Sequence, residues 1–387
     1  ELKSGDNRLR LSLDECIALA LANNPDIILS GLEPQKSDMD IFTARGEFDP
    51  IWQSTMQFVR ASMALSQQYQ RFGGLTSLDS WNTTIDSTVG GKLHTGTQYA
   101  LVFNLNKEET TYGNFIEEFD TRLMLNLTQP LLKGFGMKVN KVRINMAKNA
   151  RKMTEAQVRL QVMTTISDVI KAYWDLVGMV ENLKVRQESL ANAERLLRIN
   201  ETRREIGTAA DIEVLQAKAG VATRQSELIA ARSRMSDASD ILKQLLDLQE
   251  GDMFSMALIV PTDRPNISDA SAIDPDFYEE QFMQSLELAL QNRPEIEIAD
   301  LQVVNAELDA MRMRNEMQPE LNITAYYGQG GRDHKLSQSL YKLRDKEQEF
   351  YSYGLTATVP LRNRAARGAY ERAKLTRREM ELREHKA

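Results

Sequence analysis

The sequence predicts a mainly α-helical, internally duplicated chain that carries two blocks of β-strand. Three observations lead there. Residues 16–27 (CIALALANNPDI) recur as residues 285–296 (SLELALQNRPEI), an offset of 269 positions. After each copy the hydrophobic period changes from helical to alternating. Between the copies, Lys138–Glu205 holds 68 residues with no proline and one glycine, Gly178.

Within the repeat, Leu19, Ala20, Leu21, Asn23, Pro25 and Ile27 return as Leu288, Ala289, Leu290, Asn292, Pro294 and Ile296. Pro50 precedes the first alternating block and Pro319 the second, again 269 positions apart. Thr128-Gln129-Pro130-Leu131 closes one block and Thr358-Val359-Pro360-Leu361 the other. Two such copies imply a pseudo-symmetric architecture. The opening helix is expected from Asp14, as N-cap, to Arg45, with a break near Asn24 and a kink near Pro34.

Strands follow at Trp52–Arg60, Thr83–Leu93, Gln98–Asn106 and Arg122–Thr128. The second copy gives Leu321–Tyr327 and Tyr351–Val359, with Gly328–Gln348 read as a polar loop. Residues 65–80 and 107–119 read as further polar connections, and His94-Thr95-Gly96 as a short turn. Apolar-out, polar-in alternation over about 8–11 residues suits a membrane barrel. A half-buried soluble sheet shows the same alternation and is the plainer reading from pattern alone.

The long helix keeps a heptad stripe through Val162, Ile166, Val169, Tyr173, Leu176, Val180, Leu183, Leu190 and Leu197. Met163, Ile170 and Val177 widen it, so neighbours are expected on more than one side. Gly207-Thr208-Ala209-Ala210 breaks the run, and a helix restarts at Asp211 to about Leu246. The inner stripe of that helix reads as Ile212, Leu215, Ala219, Ala222, Ser226, Ile229, Ser233 and Ser236. The pair makes an antiparallel hairpin. The opening helix and this shorter one together match the long helix in length, as two helices stacked end to end would. Residues 247–280, with Pro261, Pro265 and Pro275 and a strand-like run at Met256–Val260, read as a connector between copies.

Composition narrows the function. The chain is 42% apolar with a net charge of −7, which argues for a sizeable core and against a nucleic-acid partner. A lone cysteine, Cys16, excludes an intrachain disulfide and reads as a buried hydrophobe. No run of about 18 apolar residues is present, so a spanning helix is not expected, which leaves a β-barrel open. No signal peptide heads the sequence, which reads as mature or trimmed. His94, His334 and His385 lack ligand spacing, so no metal or other cofactor is expected. Gly328-Gln329-Gly330-Gly331 lacks the lysine of a phosphate loop and reads as a loop. Glu108-Glu109 and Glu117-Glu118 read as loop carboxylates with nothing to raise their pKa. No enzyme active site emerges.

Several ordered motifs together resemble the TolC family of outer-membrane efflux proteins. They are Leu11-Ser12-Leu13-Asp14-Glu15-Cys16-Ile17 with Asn23-Asn24-Pro25, then Phe48-Asp49-Pro50 and Leu127-Thr128-Gln129-Pro130-Leu131. The turn Ile206-Gly207-Thr208-Ala209-Ala210-Asp211-Ile212-Glu213-Val214-Leu215 and the second opening Leu288-Ala289-Leu290-Gln291-Asn292-Arg293-Pro294-Glu295 complete the set. Each is weak alone, but their order and duplication cover nearly the whole chain.

The resemblance implies a mainly α fold with membrane β: duplicated long antiparallel coiled-coil helices plus transmembrane β-barrel strands, TolC-like and trimeric. It turns the alternating strands into part of a shared outer-membrane barrel, with the helices reaching into the periplasm. The implied function is a passive exit duct of a tripartite efflux or type I secretion system. The implied partners are two further copies in a homotrimer, a periplasmic adaptor (membrane fusion) protein, an inner-membrane transporter of RND, ABC or MFS type, and outer-membrane lipid. A soluble or peripheral coiled-coil scaffold is the alternative.

By resemblance the hairpin tip docks the adaptor, a role that falls on Arg204, Ile206, Gly207, Thr208 and Asp211. Gly207 suits a helix end with positive φ, and Asp211 can cap the next helix. Tyr99, Tyr112, Tyr326, Tyr327, Tyr351 and Tyr353 are candidate interfacial aromatics. The expected division is 1–50 (first helix), 51–130 (strands and loops), 131–246 (long hairpin) and 247–280 (equatorial connector), then 281–318 (helix of the second copy), 319–360 (its strands) and 361–387 (the start of a second long helix). Two departures stand out. The family pattern is two strands per copy, where four alternating runs are read in the first copy. Repeat symmetry also expects a second long helix and tip beyond Ala387, so the chain reads as lacking part of its C-terminal region.

Overall fold

A computed structural model describes residues 8–64, 77–110, 116–248, 257–264 and 275–386. In chain order the first elements are β1 (Arg8–Leu11), α1 (Leu13–Asn23), α2 (Pro25–Arg45), β2 (Ile51–Ala64), β3 (Ser77–Lys92), β4 (Gln98–Thr110) and β5 (Glu118–Pro130). Next come α3 (Met137–Asn140), α4 (Val142–Glu205), α5 (Asp211–Leu246), β6 (Leu258–Pro261), α6 (Pro275–Asn292) and α7 (Pro294–Glu316). The last are β7 (Glu320–Asp333), α8 (Leu336–Arg344), β8 (Gln348–Thr358) and α9 (Arg364–Glu384). Two compact units result, one of Glu1–Gln35 with Met153–Ile298, the other of Lys36–Lys152 with Ala299–Ala387.

The first unit is helical. Its opening helix is capped by Ser12 rather than the expected Asp14. The Ser12 hydroxyl accepts from Glu15 N at 3.3 Å, and the Glu15 carboxylate accepts from Ser12 N at 2.8 Å. Asn24 marks the expected break and is buried. Its Oδ1 accepts from Asp26 N at 2.9 Å, so it caps α2, while its Nδ2 donates to Leu245 O at 2.9 Å. The helix α2 continues through Pro34.

The core of this unit gathers Cys16, Ala20, Val169, Tyr173, Leu176, Leu242, Leu246 and Ile259. Three of these are heptad residues expected to face inward. Burial, then the nearby Glu15 and Asp263 charges, push the Cys16 thiol up to about 12. The two-stranded parallel sheet of β1 and β6 pairs Leu9 with Ile259. The strand β1 is too short to show a period, and the run expected at Met256–Val260 falls on 258–261, Met256 lying outside the described residues. A partly buried knot ties these pieces together. Tyr173 OH donates to Asp263 Oδ2 at 2.8 Å and lies 3.2 Å from Leu11 O, while Leu13 N donates to Asp263 Oδ2 at 2.8 Å.

The stripe read on α5 requires correction. The buried residues are Val214, Ala231, Met235, Ser239, Leu242 and Leu246. Ile212, Leu215 and Ile229 of the expected inner stripe are exposed. Both stripes have heptad spacing, and the sequence favours the wrong one because the helix is apolar on two faces.

The second unit is built on one six-stranded antiparallel sheet in the order β2-β3-β4-β5-β7-β8. All six expected strands are present. The connections are shorter than expected: β4 runs to Thr110 and β5 begins at Glu118. Glu108, Glu109 and Glu118 are therefore strand residues.

The segment read as a loop from Gly328 to Gln348 is instead the end of β7, then α8, then the start of β8. Its glycines explain the error, since they serve close packing rather than a turn. A Cβ on Gly331 would lie 2.1 Å from Ser339 O and 2.6 Å from Leu343 N, both backbone atoms of α8. The helix thus sits directly on the strand, and a buried relay locks it there. Thr121 Oγ1 and Ser339 Oγ are 2.8 Å apart, and Ser339 Oγ donates to Gly331 O at 2.7 Å.

The long helix also starts later than expected: α3 ends at Asn140, Lys141 interrupts, and α4 then runs 64 residues.

Candidate functional site

Two regions are candidates, one in each unit. The first is the turn between α4 and α5. Gly207 takes φ +77°, the left-handed conformation that ends a helix without steric cost. Gly207 N donates to Arg204 O at 2.9 Å and Thr208 N to Arg203 O at 2.8 Å. The Thr208 hydroxyl also donates to Arg203 O at 3.0 Å. Gly207 and Thr208 are therefore accounted for by the turn itself.

Asp211 is not the cap expected of it. Ala210 occupies the N-cap position without a side-chain bond, and Asp211 is the first helical residue. Its carboxylate lies in the first turn, where the helix dipole favours negative charge. Arg204, Ile206, Gly207, Thr208 and Asp211 are all exposed, Ile206 at 69%. On the preceding turns Arg195, Arg198, Ile199, Thr202 and Arg203 line a shallow groove that the sequence reading did not single out. The sequence carries it only as a local run of arginines at Arg195, Arg198, Arg203 and Arg204, a pattern common on solvated helix faces.

The second region is the sheet, whose register sorts its side chains by face. Directly paired residues share a face. One row runs Trp52–Val89–Leu101–Leu125–Tyr327–Tyr351 across all six strands, every member apolar or aromatic. Another runs Thr55–Asp86–Asn104–Arg122–Gly330–Gln348, every other member polar or charged apart from Gly330, on the opposite face. Among the described residues nothing covers the apolar face: Leu101, Leu123, Leu125, Leu127, Tyr351, Tyr353 and Leu355 are all exposed.

The polar face holds a connected set of groups. Asn104 Nδ2 donates to Asp86 Oδ1 at 2.5 Å, and Thr84 Oγ1 to Asn106 Oδ1 at 3.1 Å. Arg122 and Arg332 each donate to Asp120 Oδ2 at 2.7 Å. Among the aromatics expected at an interface, Tyr99, Tyr327, Tyr351 and Tyr353 stand on the apolar face. Tyr326 pairs with Asn126 and Ser352 on the polar face, a correction to its place among the interfacial aromatics that agrees with the alternation of Leu321, Ile323, Ala325 and Tyr327 on the other face. Tyr112 lies outside the described residues. His94 stacks on Phe48 at 4.3 Å, and His334 Nδ1 lies 3.1 Å from Glu117 O. Among the described residues no helix is long and apolar enough to cross a membrane.

Residues 103–247 match the family model described as outer membrane efflux protein. The chain is 24% identical over 183 residues to a pyoverdine export outer membrane protein, OpmQ, of Pseudomonas putida, covering 47% of this chain and 35% of that protein. It is 25% identical over 220 residues to OpmQ of Pseudomonas aeruginosa, covering 56% and 41%. The chain thus spans well under half the length of these relatives. The CmeC outer membrane channel of Campylobacter jejuni superposes with a TM-score of 0.62 at 17% identity, over 97% of this chain and 67% of that one. The fold is that of these outer-membrane channels, and the resemblance read from the motifs is borne out.

Proposed function

We propose, from the premise that residues 103–247 form an outer membrane efflux protein domain within the fold of the outer-membrane channels, that this chain is one protomer of a passive exit duct. It lies in the bacterial outer membrane and extends into the periplasm. The observation that carries the reading is the two-faced sheet. A barrel strand in lipid needs an apolar outer face and a polar inner one, and the rows through Leu125 and through Arg122 divide in that way across all six strands. A soluble scaffold would bury Leu101, Leu125, Tyr351 and Leu355 under a second layer.

In this reading three copies assemble. The exposed heptad stripe of Ile212, Leu215, Ala219, Ala222, Ser226, Ile229, Ser233 and Ser236 on α5 supports contact with a neighbouring copy. Residues 51–130 and 319–360 supply the membrane wall, 1–50, 131–246 and 281–318 the periplasmic helices, and 247–280 an equatorial connector. Residues 361–387 begin a further helix. An inner-membrane transporter of RND, ABC or MFS type drives the cargo through a periplasmic adaptor.

The adaptor docks on Arg204, Ile206, Gly207, Thr208 and Asp211. Ile206 is the most informative of these, because a 69% exposed isoleucine has no role in the turn. Ile206→Asp should leave thermal unfolding within about 0.5 kcal/mol of the parent, as exposed substitutions do. It should abolish adaptor capture and dye efflux in cells. Undiminished efflux with normal expression would remove the tip from the docking surface.

A further inference from the structure

The sheet that forms the proposed wall ends in two open edges. Among the described residues β2 pairs only with β3, and β8 only with β7. These edges are long, at 14 and 11 residues, and each holds a single charge, Arg60 on β2 and Glu349 on β8. Soluble proteins blunt such edges with lysine, proline, bulges or a covering element, because an open apolar edge recruits another strand. Neither edge carries a proline or a lysine.

The edges also complement each other. Six antiparallel strands make an even number, so β8 runs opposite to β2. A second copy placed edge to edge therefore continues the antiparallel alternation. The faces continue too, since Tyr351, Tyr353 and Leu355 on β8 share the apolar face with Trp52, Met56 and Phe58 on β2.

The middle pair, β3 and β4, belongs to this wall and is not an appendage. Lys92 Nζ donates to Glu47 Oε1 at 2.8 Å, and Gly136 N donates to Thr95 O at 3.0 Å. Thr97 Oγ1 bonds to Gln129 Oε1 on β5. Gly96, at φ +95°, meets the chain after β5 so closely that a Cβ would lie 2.2 Å from Gly134 O. The turn of the pair is thus fixed to the elements on both sides of it.

We propose that the β8 edge of one copy pairs with the β2 edge of the next, and that three copies close an eighteen-stranded barrel. The inference rests on the channel reading above and deepens it. Strands about 4.8 Å apart and tilted about 40° then enclose a backbone diameter of roughly 36 Å. Twelve strands, as from three four-stranded protomers, would give roughly 24 Å. The wider wall belongs to the class that keeps an aqueous lumen, and the row from Thr55 to Gln348 lines it.

The test has two readouts. Single cysteines are scanned along β2 near Thr55→Cys and along β8 near Ser352→Cys, in a Cys16→Ala background, and the two sets are co-expressed. Disulfides should form between β2 and β8 of different copies, and double-cysteine chains should give a ladder that stops at three. A ladder stopping at two, an intrachain bond alone, or no bond at any offset would overturn the proposal. Imaging of the unsubstituted protein in detergent should show eighteen strands in a threefold ring. A threefold ring of twelve strands with β3 and β4 outside it would refute the inference and leave the channel reading standing. A soluble particle that never enters the outer-membrane fraction would refute the channel reading itself.

Discussion

Placing an arginine on each face of β5 separates a lipid-facing wall from a soluble sheet. The strand has 13 residues, and Leu125 lies one residue from its centre. At about 3.4 Å per residue and a tilt near 40°, the strand rises roughly 34 Å, more than the apolar band of about 25 Å. Leu125 therefore stands within a few ångströms of the bilayer midplane, on the row Trp52–Val89–Leu101–Leu125–Tyr327–Tyr351. Leu125→Arg should cost about 2–4 kcal/mol, roughly 30- to 900-fold in the folding equilibrium. Asn126→Arg, on the opposite face, should cost at most about 0.5 kcal/mol. Urea titration of the protein in lipid vesicles measures both. Trp52 and Trp81, on the apolar face, report insertion by fluorescence. Equal costs for the two variants, or a larger cost for Asn126→Arg, would refute the assignment of faces.

Three further predictions concern the packing within the units. Tyr173→Phe strips Asp263 and Leu11 O of a buried donor, so it should destabilise the helical unit by about 1–3 kcal/mol in thermal unfolding. The Leu13 amide, then the Tyr173 hydroxyl, hold the Asp263 carboxyl below its ordinary value of 3.8, so its contribution is present above that pH and fades as pH falls below it. Burial first, against the opposing Asp263 amide and with the Asp263 carboxylate, raises Tyr173 above its ordinary 10.0, so that part is lost only as pH rises past this value, and Tyr173→Phe should remove this tyrosine's share of the alkaline loss of stability. In the sheet unit, Gly331→Ala should push α8 off β7, costing about 1–3 kcal/mol and opening 334–348 to proteolysis. Gly178→Ala, with open space around it, should be neutral or slightly stabilising.

What the sequence made legible follows from where physics writes a local signal. The six strands announce themselves because one face is apolar and the other polar, a period of two that survives in a single chain. The break at Asn24 is legible because Pro25 cannot continue the preceding helix. The failures share a different cause. On α5 two apolar stripes compete, and only packing tells which faces the core. Gly328–Gly331 looks like a loop because the sequence does not show that Ser339 and Leu343 crowd against Gly331. Asp14 is read as the cap in place of Ser12 because both have suitable side chains only two residues apart. The strand β1 has four residues and gains its identity from its partner β6. At the hairpin the turn itself was readable from Gly207, whereas Asp211's place inside the helix depends on which backbone carbonyl begins the ladder.

The central claim is that the polar face of the sheet lines water while the apolar face meets lipid. Adjacent cysteines on β4 test it most directly, labelled in intact outer membranes with a charged, membrane-impermeant thiol reagent. Cys16 does not interfere, being buried with its thiol pushed up to about 12. Asn104→Cys should label readily and Phe103→Cys should resist until the membrane is dissolved. Labelling of Phe103→Cys ahead of Asn104→Cys, or of both alike, would contradict the account.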